Sequence, residues 1–162
     1  MRGSLTKAGM ALLVSACSAC SGPSLDVGKM LQVADVTTGW YDAGIVEGKN
    51  KLVPSVVFRL KNVGAGFKGS VQINAVFRRV GETEEWSSAL IRGVDANGLT
   101  SGATTAPIVL RSNLGYTGTQ PRSELLQNKL FVDAKVQLFA KHGSVQWSKL
   151  GEYRVERQLL TH

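Results

Sequence analysis

The sequence predicts an all-β chain, an antiparallel β-sandwich of about seven strands, on three observations. Between residues 31 and 155, apolar and polar residues alternate with a period of two far more often than they recur at 3.6. Clusters of Gly, Asn, Asp and Ser interrupt the alternation every eight to twelve residues. One stretch alone, residues 121–128, reads as a helix, and it is short.

The elements follow in order. Leu31, Val33 and Asp35 alternate with Gln32, Ala34 and Val36, which predicts a first strand. Residues 37–41 bend away, and the glycine-rich, charged stretch Asp42–Lys51 reads as a loop or short ribbon. Val56, Phe58 and Leu60 then alternate with Val57, Arg59 and Lys61, and the strand closes on the turn cluster Asn62-Val63-Gly64-Ala65-Gly66. In the next strand Val71, Ile73, Ala75 and Phe77 face the core. A turn at Gly81-Glu82-Thr83 leads into Trp86–Val94, and Asp95-Ala96-Asn97-Gly98 turns the chain again. Pro107 makes Thr105–Leu110 an edge strand or a strand start, because proline donates nothing to a ladder. Ser112–Gln120 is a loop, and Pro121 to Asn128 forms the short helix, with proline at its first position and Asn128 at its end. Phe131–Ala140 places Val132, Ala134, Val136, Leu138 and Ala140 on one face. Lys141–Ser144 is a hairpin loop, and Val145–Val155 returns with a bulge or bend at Gly151.

This spacing of short strands indicates a sandwich of immunoglobulin-like type, a small barrel being the alternative closure. The run Val56–Gly64, then Ser70–Phe77, then Gly102-Ala103-Thr104-Thr105, resembles bacterial Ig-like modules. The resemblance covers Ser55 to Leu110 and implies a fold, which by itself carries no function.

The first residues carry an address. Arg2 and Lys7 precede a brief apolar run, Ala8–Val14, too short for the roughly 20 residues of a membrane span. Val14-Ser15-Ala16-Cys17 follows. It resembles the lipobox of bacterial lipoproteins, and that resemblance implies cleavage before Cys17 and acylation of Cys17. Cys20 is the poorer-matching alternative. Residues 1–16 are then a signal peptide, 17–25 a lipidated tether and 26–162 one domain. More than one acyl chain anchors stably, whereas a single chain binds marginally. The address implied is the cell envelope, with the domain facing the periplasm. Ser18 rather than aspartate after the acylated residue implies the outer membrane in a diderm cell.

Net charge is +7, and loss of Arg2 and Lys7 leaves about +5. Acids and bases are interspersed, as on a solvated surface, and a cationic domain held near anionic lipid gains short-range attraction. Export and the absence of an aromatic-interleaved basic motif argue against nucleic acid as a partner. Hydrophobic content of 43% supports one packed domain. Cys17 and Cys20 are the only cysteines, so packing rather than a disulfide must hold the domain. Their C-x-x-C spacing lacks the βαβ context of a redox pair.

No catalytic constellation is expected. His142 lies in a hairpin tip and His162 is terminal, and no G-x-S-x-G elbow positions a serine. Glu82, Glu84 and Glu85 read as a solvated turn rather than a calcium loop. No metal or cofactor is expected. Two loci are candidate binding surfaces. Trp40 and Tyr41 are adjacent, so at most one faces the core; the alternative is that Trp40 plugs the sandwich and Tyr41 caps a loop. Arg111, Asn113, Tyr116 and Arg122 join a ring, an amide and two guanidiniums around the 112–120 loop; the alternative is a self-packed loop. Trp86 and Trp147 are expected to pack against the sheets. The expected function is a non-enzymatic interaction module on the membrane, docking an envelope protein or polymer. A periplasmic carrier of a small ligand or lipid is the alternative, and a hydrolase ranks last.

Overall fold

The computed structural model describes residues 25–161. The leader, the lipobox, Cys17, Cys20 and His162 lie outside them. Asp26 caps a single helical turn, α1 (Val27–Met30), by accepting a hydrogen bond from the Gly28 amide at 3.1 Å. Two long strands follow, β1 (Leu31–Val46) and β2 (Lys49–Asn62). They are joined at Glu47 and Gly48, whose φ angles of 49° and 74° are both positive. A two-residue hairpin of type I′ requires that pair of conformations. The ribbon reading of residues 42–51 is therefore the one realised, as part of a 16-residue strand.

β3 (Val71–Arg79), β4 (Ser87–Val94), β5 (Ile108–Arg111) and β6 (Tyr116–Gly118) come next. Then follow α2 (Arg122–Gln127), β7 (Ala134–His142), β8 (Ser148–Arg154) and β9 (Leu159–Leu160). One sheet has the order β5-β2-β1-β9, with β6 also pairing β2; the other is β4-β3-β7-β8. The strands are antiparallel except for a two-residue parallel pairing of β9 with β1. The runs β1-β2-β5 and β4-β3-β7-β8 reproduce the A-B-E and C′-C-F-G arrangement of an immunoglobulin-like sandwich. Seven principal strands, plus the short β6 and β9, match the expected count. The short helix sits before the last long hairpin as expected, with Pro121 as its N-cap rather than its first residue.

The core lies between the sheets. Val71, Ile73, Ala75 and Phe77 meet Ala134, Val136, Leu138 and Ala140, all fully buried, opposite Val56, Phe58 and Leu60 of β2. Leu125 and Leu126 of α2 cover one end of this core. Three positions depart from the alternation. Val132 precedes the start of β7 and is exposed. Trp147 stands at the hairpin tip, 40% exposed, with the Lys141 ammonium 5.8 Å from its ring. His142 is half-buried, edge-on to Phe67, with its Nε2 2.9 Å from the Lys68 carbonyl.

β1 explains why its reading from sequence stops short. A register shift falls between Ala34 and Thr37, with Asp35 at φ 52°. The bulge resets the phase, so Leu31 is inward before it and Thr38 and Trp40 are inward after it. Asp35 is exposed and pairs with Arg59 at 3.5 Å instead of continuing the core face. The expected irregularity at Gly151 is present, since the β7–β8 register shifts beside it.

The sandwich thus has two distinct ends. The entry end carries α1, the start of β1, the end of β2 and the start of β3 beside the end of β7. Gly28 there packs against Ser148 and Gly64 against Met30. The far end carries the 47–48 turn, Trp40, Arg79, β6 and α2.

Candidate functional site

The two loci converge at the far end, on opposite faces of the β1–β2 sheet. Trp40 points inward and is fully buried. Its ring centroid is 4.6 Å from Phe131 in an edge-on arrangement, 5.5 Å from Tyr116 and 6.4 Å from Trp86. Offset and edge-on geometries of this kind add stabilisation beyond buried area. Arg79 lies 5.0 Å from the Trp86 ring and Arg157 lies 5.1 Å from the Phe131 ring. The Tyr116 hydroxyl donates to the Val132 carbonyl at 2.9 Å, and burial pushes its pKa above the ordinary tyrosine value. Trp40 and Tyr116 therefore plug the end of the sandwich. The Trp40 Nε1–H is buried without a partner.

Tyr41, next in the strand, faces the other way. The Arg111 guanidinium stacks over its ring at 3.5 Å. The registers Tyr41–Val53 and Arg111–Ser55 bring these two residues together across β2. Among the described residues Arg111 forms no ion pair, and its Nε–H is buried without a partner. Lys51 shares the outward parity and donates to the Asn113 carbonyl at 3.0 Å.

The remaining candidates are engaged internally. The Asn113 Oδ1 accepts from the Ser87 hydroxyl at 2.7 Å, tying the β5–β6 loop to the start of β4. Arg122 forms an ion pair with Asp42 and holds that carboxyl below the usual carboxylate range. Arg157 donates to the carbonyls of Leu126 at 3.2 Å and Phe131 at 2.8 Å, and to Asp133 at 2.6 Å, so it fastens the segment after α2. What faces outward with unspent hydrogen-bonding capacity is the Tyr41–Arg111 pair. Trp86, Phe131, Arg79 and Lys51 belong to this region and were not singled out from sequence as part of it.

The principal clefts lie elsewhere on the molecule than at Tyr41 and Arg111. A cleft of about 540 Å³ runs between β1 and β8, lined by Val36, Thr38, Tyr153 and Arg154 among others. One of about 260 Å³ abuts the aromatic plug at Tyr116, Leu130 and Phe131. Neither includes Tyr41 or Arg111. Among the described residues no group of three or more His, Cys, Asp or Glu is placed to hold a metal ion. No helix among them is long and apolar enough to cross a membrane.

No protein-family model and no curated protein matches the chain. One solved structure, titled "X-ray structure of Northeast Structural Genomics Consortium target SoR45", aligns with 80% of this chain and 88% of its own at 12% identity, with a TM-score of 0.40.

Proposed function

We propose that this chain is a membrane-anchored envelope lipoprotein whose β-sandwich is a non-enzymatic docking module, held by acyl chains on Cys17. Its outward Tyr41–Arg111 pair takes a carboxylate from a protein partner. The observation that carries the docking reading is the stacked, partly desolvated guanidinium with no acid beside it. A guanidinium fixed flat on a ring presents its remaining donors as a fork, which matches a carboxylate two bonds at a time. Arg and Tyr are also residue types that dominate interface energetics. That neither Tyr41 nor Arg111 lines one of the principal clefts favours a protein over a small molecule, since small ligands need concave sites.

Two experiments test the two halves. Labelling of cells with an alkyne-tagged fatty acid tags the chain, Cys17→Ser abolishes the tag and Cys20→Ser leaves it; a tag that survives Cys17→Ser sinks the anchor. Titration of the detergent-solubilised protein with an acetylated tetraglutamate peptide, read at the arginine Nε–H resonances, shifts Arg111. Arg111→Lys keeps the charge but loses the fork, and weakens binding about tenfold. Lys68→Ala, which removes a full positive charge at the entry end, leaves binding unchanged. Equal weakening by both substitutions refutes the site.

A further inference from the structure

We infer that the entry end of the sandwich seats directly on an anionic lipid surface. The inference rests on the anchor reading above and adds an orientation to it. Seven residues, 18–24, separate Cys17 from Leu25, the first described residue. The eight steps from Cys17 to Leu25 span at most about 28 Å in any conformation. An acylated Cys17 therefore keeps the entry end close to the headgroups.

That end has the chemistry of a membrane interface. Trp147 stands exposed at the β7–β8 tip, and Val63 is 53% exposed after β2, on the other side of α1. Lys61 and Lys68 are exposed, and Lys141 lies beside the Trp147 ring. None of these three lysines forms an ion pair among the described residues. Against these lysines, the acids nearby among the described residues are two. Asp26 pairs with Lys29 at 3.3 Å and caps α1, and Asp95 accepts from the Asn97 amide in its own turn. An indole with an apolar body and a polar edge settles at the headgroup level, and lysines within a Debye length are drawn to anionic lipid. The same seating turns Tyr41 and Arg111 away from the bilayer.

The lipidated full chain, incorporated into vesicles of brominated phosphatidylcholine with 30% phosphatidylglycerol, tests this by tryptophan quenching. Trp40 is fully buried and Trp86 half-buried at the far end, so quenching reads Trp147. The expected result is quenching in anionic vesicles, less in pure phosphatidylcholine, and none in Trp147→Phe. Lys61→Glu combined with Lys141→Glu lowers it by about half or more, whereas Lys129→Glu at the far end does not. Protein that floats with the vesicles without Trp147 quenching, or with equal quenching in both lipids, overturns the seating and leaves the anchor standing. Protein that fails to float overturns both.

Discussion

Asn62 shows how much one buried side chain can hold. Its Nδ2 donates to the carbonyls of Ala65 and Leu99, and its Oδ1 accepts from the Gly64 amide, each at 2.9 Å, in a fully buried position. It shapes the turn after β2 and ties that turn to the segment after β4. Asn62→Ala strands three backbone groups and is expected to cost about 3 kcal/mol, a fall of about 6–12 °C in Tm by circular dichroism. A loss under 1 kcal/mol contradicts this account. Sequence marks Asn62 as a turn residue, and that is correct, but its partner Leu99 lies 37 residues further on, where no local pattern points. The Tyr41–Arg111 contact has the same origin. Each residue is legible as a candidate, yet their meeting depends on the registers of β1, β2 and β5, and strand register is a long-range property.

At the scale of the element, the core face of β3, and that of β7 from Ala134 to Ala140, is legible in the sequence, because each alternates between a core face and a more polar outer face and neither is bulged against the other. β1 was not, because the bulge at Asp35 moves the core face from one parity to the other midway. An aspartate at positive φ gives weak warning where a glycine would give strong warning. The 47–48 turn is obscured likewise, since Glu-Gly is not the usual Asn-Gly of a type I′ hairpin. Gly48→Ala forces a Cβ into the left-handed region at φ 74° and is expected to lower stability by about 1 kcal/mol. Glu47→Asn is expected to raise it by a few tenths, about 0.5 kcal/mol, since asparagine tolerates that region. Urea unfolding of both variants checks the pair, and a hairpin indifferent to both substitutions excludes the type I′ account.

The whole molecule is expected to weaken in acid. Arg157, assisted by Arg154, holds the Asp133 carboxyl below the ordinary range, against a smaller opposing effect of burial. Glu152 is pushed down to about 2, first by the Gln137 amide and then by Lys149 and Lys135. Carboxyls whose folded pKa is depressed stabilise fully above their unfolded value, near 4, and lose that contribution as pH falls toward the folded value. Tm is therefore expected to be flat above about pH 5 and to drop between about pH 4 and pH 2. Asp133→Asn should lower Tm at neutral pH and flatten the acid slope; a slope unchanged by Asp133→Asn rejects the assignment. Glu152 is largely exposed, so Glu152→Gln is expected to move the curve less.

Residues 154–160 close the architecture. Thr38 donates to the Arg154 carbonyl at 2.8 Å and accepts from the Glu156 amide at 3.1 Å, while the Trp40 amide donates to the Gln158 carbonyl at 2.8 Å. β9 then lies along β1. The strand that fixes the indole plug is thus completed by a segment 116 to 120 residues further along the chain. A nascent chain that has not yet reached these residues cannot finish the far end, so its assembly must wait for them.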